Sequence, residues 1–144
     1  MILPKLDPYL FFDGNCAEAM QFYQRTIGGR IEAMLTYGDS PEPGHCPVGS
    51  DQRIMHACID LGGQLLMASD CPEGQPYEGM KNVALSLNYP GVDEAKAIFE
   101  ALSEGGKVIM PLGPTFWAEI FGMLTDRYGT SWMIGSGTKP AAAA

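Results

Sequence analysis

Apolar residues recur at helical spacing twice along this chain. Ala19, Phe22, Tyr23 and Ile27 form one stripe, and Ala95, Ile98, Phe99 and Leu102 form another. Each stripe runs into a glycine pair, Gly28-Gly29 or Gly105-Gly106, which stops a helix. Around the stripes, short runs of aromatic, aliphatic and β-branched residues predict strands. They fall at 9–12, 30–37, 53–61 and 64–68 in the first half, and at 83–88, 107–112, 116–124 and 131–134 in the second. Asp13-Gly14 reads as a turn, Asn15 as the first helix's N-cap, and Glu18 as its capping-box partner three residues on. Gly62-Gly63 predicts a hairpin, whereas residues 39–52 and 70–79 hold too many Pro and Gly for a regular element.

The two halves are copies of one unit. Glu18, Ala19 and Tyr23 fall 76 positions before Glu94, Ala95 and Phe99, while Gly28, Gly29 and Arg30 fall 77 before Gly105, Gly106 and Lys107. One residue is therefore inserted, and this spacing places it late in the second helix. Asp60, Gly63, Met67 and Ala68 recur 66 positions later as Asp126, Gly129, Met133 and Ile134. A unit of this size exceeds a solenoid repeat and is too small to fold alone. The expectation is one α+β domain over 1–144: module one about 7–69, a linker at 70–81, module two about 82–135 and a solvated tail at 136–144. Each module reads strand, helix, strand, strand, strand, and the groove between the copies is the first place to look for function.

A formal charge of -8 with 9 Lys and Arg, none clustered, argues against nucleic acid. No stretch approaches the roughly 18 apolar residues of a membrane span, and no basic-then-apolar leader opens the chain, so a soluble cytoplasmic protein is expected. The four cysteines, Cys16, Cys46, Cys58 and Cys71, lack zinc-type pairing and read as reduced thiols.

Several segments together resemble the PhnB-like branch of the glyoxalase, bleomycin resistance and extradiol dioxygenase (vicinal oxygen chelate) superfamily. They are Tyr9-Leu10-Phe11-Phe12, the run from Ala17 to Tyr23, Met55-His56-Ala57, the run from Phe116 to Gly122, and the run from Thr125 to Ile134. The resemblance spans residues 7–135 and implies paired βαβββ modules whose curved mixed sheets flank a central groove. It also implies a homodimer and a small-molecule ligand. Metal-dependent relatives draw ligands from the first and last strands of each module, which here fall near residues 7–9 and 84–86 and near Met67 and Met133. A thioether is a weak ligand for oxygen-seeking cations, and no histidine occurs at the first-strand positions. A divalent metal is thus a possible cofactor, but the usual four-ligand site is expected to be absent. Members of this branch often carry a ubiquinone-pathway methyltransferase label. The glycine pairs here end helices instead of opening them, which speaks against a methyl-donor site.

The catalytic candidates are His56 and Glu119. His56, between Met55 and Ala57, reads either as a general base or single metal ligand facing the groove, or as a half-buried histidine bonded to backbone. Strand alternation puts His56 with Cys58 on one face and Met55, Ala57 and Ile59 on the other. Glu119, amid Trp117, Phe121 and Met123, is a raised-pKa acid if buried and an ordinary water-facing glutamate otherwise. The 66-residue offset aligns His56 with Gly122, of opposite strand parity to Glu119. Phe12, Tyr37, Met67, Trp117 and Met133 are the candidate substrate-binding residues, with Trp132 a further apolar liner. His45-Cys46 and Asp70-Cys71 match no zinc spacing and read as turn residues. Two functions remain open: an enzyme using acid–base or metal-assisted chemistry, or a non-catalytic protein that sequesters a small molecule.

Overall fold

The computed structural model describes residues 2–41, 46 and 48–138. The chain divides into two compact units, Met1–Gly79 and Met80–Ala144. The first unit holds β1 (Tyr9–Phe12), α1 (Cys16–Ile27), β2 (Arg30–Thr36), a 3-10 turn (Tyr37–Asp39), β3 (Ile54–Asp60) and β4 (Leu65–Asp70). Its sheet runs β1-β4-β3-β2, with β1 parallel to β4 and the other pairs antiparallel. The second unit repeats this with β5 (Leu85–Tyr89), α2 (Val92–Ser103), β6 (Lys107–Gly113), β7 (Ala118–Thr125) and β8 (Ser131–Thr138), ordered β5-β8-β7-β6. The fold is therefore α+β, two open four-stranded mixed sheets with one helix each.

Each helix covers one face of its own sheet, because the helical stripe and alternate strand residues are both apolar. Ala19, Met20 and Tyr23 of α1 are fully buried together with Phe12, Ala57 and Ala68 of the strands, and the Phe12 and Tyr23 ring centroids lie 6.5 Å apart. In the second unit Ala95, Phe99 and Leu102 are buried with Ile120, Leu124, Trp132 and Ile134. Burial of each large side chain contributes about 1.5–3 kcal/mol.

Four local expectations are corrected. Asn15 makes no side-chain cap. Asp70, 2% exposed, caps α1 from the far end of β4 instead: its Oδ1 accepts from the Gly14 and Cys16 amides at 2.8 and 3.0 Å, and its Oδ2 accepts from Ile54 N at 2.8 Å. A carboxylate at a helix N-terminus also gains from the helix dipole. Asp70 thus belongs to β4 and not to the linker. The inserted residue lies just after α2, at Glu104, since both helices have 12 residues. Finally, residues 136–138 are strand and not tail. Gly135 and Gly137 erase the apolar alternation that marks a strand, but Ile120 and Ala118 of β7 still pair with Ser136 and Thr138. The remaining tail, 139–144, lies outside the described residues.

The glycine pairs have a packing role. A β-carbon on Gly29 would sit 2.6 Å from the Asp60 carbonyl, and one on Gly106 would overlap the Thr125 carbonyl. The backbone entering β2 or β6 therefore presses on the end of β3 or β7. Burial, with Asp70 nearby, pushes the Cys16 thiol from its ordinary 9.0 up to about 12, so it stays protonated and inert near neutral pH.

Candidate functional site

The face of each sheet turned away from its helix carries the polar and aromatic residues. In the first unit, Leu10 and Phe12 of β1 point under α1, and alternation turns Tyr9 and Phe11 the other way, 38% and 52% exposed. Tyr9 pairs with Met67 of β4, and Met67 pairs with Cys58 of β3. His56 follows Cys58 on the same face. Its Nδ1 lies 3.1 Å from Tyr9 Oη, with the two rings stacked at 5.7 Å and 28°. Among the described residues His56 Nε2 makes no hydrogen bond. The structure thus gives His56 a side-chain partner, where a core histidine bonded to backbone was one of the readings.

Tyr37 ends β2 in the 3-10 turn and donates from Oη to the Asp70 carbonyl at 3.2 Å. Burial pushes its phenol above the ordinary value, with Cys71 and Tyr9 adding to the effect. Phe12 does not line the open face: it is fully buried under α1 because it shares strand parity with Leu10. Trp132 is likewise core, its Nε1 donating to Asp126 Oδ2 at 2.8 Å. The Asp70 carboxylate is occupied by backbone amides, Cys46 Sγ donates to Asp51 Oδ1 at 3.2 Å, and His45 lies outside the described residues.

In the second unit the equivalent row is Ser86, Met133, Met123 and Met110, one from each strand. The register also corrects the alignment of the third strands. Asp60 pairs with Leu65 but Thr125 pairs with Ser131, so the second hairpin loop is one residue longer. The offset for β3 and β7 is therefore 65, which makes Phe121, not Gly122, the counterpart of His56. Glu119 shares parity with Phe121, so it too lies on its sheet's open face. It is exposed, and the burial on which a role as a buried acid depended is absent. Trp117 packs edge-on against Phe116 and Phe121, with centroids 4.8 and 5.3 Å away. These rings wall a cavity of about 670 Å³ that reaches Asn88, Gly135 and Gly137.

This doubled strand, helix and three-strand plan matches a known family over almost its whole length: residues 5–134 fit the model of the Glyoxalase/Bleomycin resistance protein/Dioxygenase superfamily. The chain belongs to this superfamily. It is 38% identical to Protein YjdN of Escherichia coli K12 over 139 residues, covering 90% of this chain and 92% of that one. The crystal structure of protein PA1353 from Pseudomonas aeruginosa superposes with a TM-score of 0.88 at 49% identity, covering 95% of this chain and 100% of that one. A Bacillus cereus PhnB protein, described as a putative 3-demethylubiquinone-9 3-methyltransferase, superposes with a TM-score of 0.77 at 28% identity. The match covers 93% of this chain and 100% of that one.

Two activities linked to the superfamily can be set against these residues. A metal held by the first and last strands would meet Tyr9, Met67, Ser86 and Met133 here, a phenol, two thioethers and a hydroxyl. That donor set does not fit a hard divalent cation. Among the described residues no group of three or more His, Cys, Asp or Glu converges as a metal site. A methyl donor needs a glycine-rich turn open to a helix N-terminus, whereas Gly29 and Gly106 follow helices and are packed against strand backbone. Sequence reasoning missed Tyr9 as a site residue. The signal was its parity with Phe11, opposite to Leu10 and Phe12. Among the described residues no helix is long and apolar enough to cross a membrane.

Proposed function

We propose that this superfamily member binds a small organic molecule on an open sheet face and moves a proton on it with His56. The observation that carries this reading is the contact between His56 Nδ1 and Tyr9 Oη. When Nδ1–H donates to the phenol oxygen, the ring is fixed in one tautomer and orientation, and the Nε2 lone pair is left on the open face. A neutral imidazole so placed can take a proton from a bound molecule as a general base. Tyr37 and Met67 of the same unit are proposed as contacts for that molecule, and Glu119, Trp117 and Met133 as contacts for a ligand on the second unit's open face. Proteins of this superfamily also include resistance proteins, and the cavity walled by Trp117 favours sequestration as the second reading. The proposal extends to a cytoplasmic homodimer that covers exposed apolar side chains such as Phe11, in which case light scattering returns about twice 15.5 kDa.

The test is deuterium incorporation. Small ketones, aldehydes and 2-hydroxycarbonyl compounds are incubated with the protein in D2O and read by mass spectrometry. Wild type is expected to accelerate exchange at one carbon of at least one compound, and His56→Gln to lose 10²-fold or more of that rate, the usual share of a general base. Exchange that survives in His56→Gln removes His56 from the chemistry. No exchange with any compound favours sequestration.

A further inference from the structure

The two copies of the unit differ in what their open faces carry. Tyr9 and Phe11 pair with Met67 and Ser69 in the first copy, and Ser86 and Asn88 pair with Met133 and Gly135 in the second. Ser69 and Cys71 correspond in turn to Gly135 and Gly137. The first face is thus filled by Tyr9, Phe11 and His56, while the second is emptied along β5 and β8, and the cavity of about 670 Å³ lies there. A strand glycine costs about 0.5–1 kcal/mol and marks where something must approach the backbone closely.

We propose that the second copy's open face is the ligand bed, and that it takes a planar ring carrying a hydrogen-bond donor and no negative charge. This rests on the reading of the protein as a small-molecule binder, and it gives the second copy a bed of its own, separate from the face that carries His56, with the class of molecule it takes. The floor is the backbone at Gly135 and Gly137, with the Asn88 and Glu119 side chains lying over it. The wall is Trp117 with Phe116 and Phe121, edge-on to one another and able to pack against that ring. The polar groups around it are acceptors or neutral. Asn88 Oδ1 lies over Gly135, 3.3 Å from where a β-carbon would stand, and the Glu119 side chain lies over Gly137, its Cδ 2.6 Å from that position. Tyr89 and Ser136 also line the cavity, though their strand parity is that of the buried Ile120 and Ile134. Among the described residues no Lys or Arg lines the cavity. An anionic ligand would stand near the Glu119 carboxylate, which lies beside the lining residue Gly137, with no cation among the described lining residues to offset it, whereas a donor finds the Asn88 amide and Glu119.

Benzamidine, benzamide and benzoate share one shape and differ in charge, so they separate these elements. In ¹H–¹⁵N spectra recorded with each at millimolar concentration, benzamidine and benzamide are expected to shift the Trp117 indole N–H and the Gly135 and Gly137 amides. Benzoate is expected to bind at least tenfold more weakly. Glu119→Gln should weaken benzamidine severalfold and leave benzamide unchanged. Gly135→Ala, whose new methyl has the movable Asn88 side chain as its nearest neighbour at 3.3 Å and the next atoms at 3.6 Å, should weaken both. Benzoate binding as well as benzamidine overturns the charge assignment. Shifts confined to residues of the first unit overturn the site while keeping the protein a small-molecule binder, and no binding by any of the three overturns the ligand class. Deuterium exchange lost with His56 is read in a separate assay and stands or falls independently.

Discussion

Replacement of Asp70 by alanine is expected to lower the folding stability of the first unit by about 4–6 kcal/mol, most of what a small domain has. Its two carboxylate oxygens hold three backbone amides that come from the β1–α1 turn, the first residue of α1 and the first residue of β3. Removing the carboxylate leaves those amides in a site that is 2% exposed at Asp70. Each buried amide left without its acceptor costs about 1–3 kcal/mol. The lost charge at the α1 N-terminus adds roughly 0.3–1 kcal/mol. Asp13→Ala is the control, because its ion pair with Arg53 spans 2.9 Å but Asp13 is 52% exposed, which places its loss below about 1 kcal/mol. Urea unfolding midpoints separate the two variants. Equal losses would mean that Asp70 is only one surface carboxylate among several.

A single methyl at Gly106 should cost about 3 kcal/mol, at the upper end for overpacking. Its backbone angle is ordinary, so the cost is steric: the β-carbon would overlap the Thr125 carbonyl and stand 2.9 Å from the Asp126 backbone. Neither is a flexible side-chain end that can swing aside. Asp126 in turn accepts from the Tyr128 and Thr130 amides and from the Trp132 indole at 2.8, 3.1 and 2.8 Å, so a shift there reaches the core. At Gly113, in the same strand, a β-carbon would have no atom of the described residues within 4 Å, and the backbone angle is not left-handed. Gly113→Ala should be neutral or stabilising by up to about 1 kcal/mol, since alanine narrows the unfolded ensemble. Thermal midpoints moving in opposite directions are the expected result. A Gly106→Ala protein as stable as wild type would show that β6 can move off the end of β7.

The duplicated unit was legible because it rests on local, periodic signals. The Ala19-Phe22-Tyr23 and Ala95-Phe99-Leu102 stripes bury the faces their spacing indicates, and the glycine pairs end both helices. What could not be read depended on partners distant in sequence. The cap on α1 comes from Asp70, 54 residues beyond Cys16 in sequence, so a local rule assigned it to Asn15. The strand at 136–138 is held by pairing with its neighbours and not by its own side chains. One extra residue in the second hairpin loop shifted the third strands' alignment from 66 to 65, and that slip hid that His56 and Glu119 occupy positions of the same parity in the two copies. At the candidate site, alternation alone turned His56 away from Ala57 and Ile59. The ring stacked on it could not be read, because the register of β1 against β4 is a tertiary property. Phe12 was placed among the ligand-binding residues on its aromatic character, and parity with Leu10 sends it into the core.

The measurement that bears most directly on the proposed chemistry is the tautomer of His56, read from its two ring ¹⁵N shifts in wild type and in Tyr9→Phe. A base held ready on the open face requires the proton on Nδ1, donated to Tyr9 Oη, and a bare Nε2. Wild type is expected to show that Nδ1–H form, and Tyr9→Phe to return the ring to the Nε2–H form that a free imidazole favours. A wild-type ring protonated on Nε2, unchanged by loss of the phenol, would contradict the assignment of His56 as the proton-transferring group.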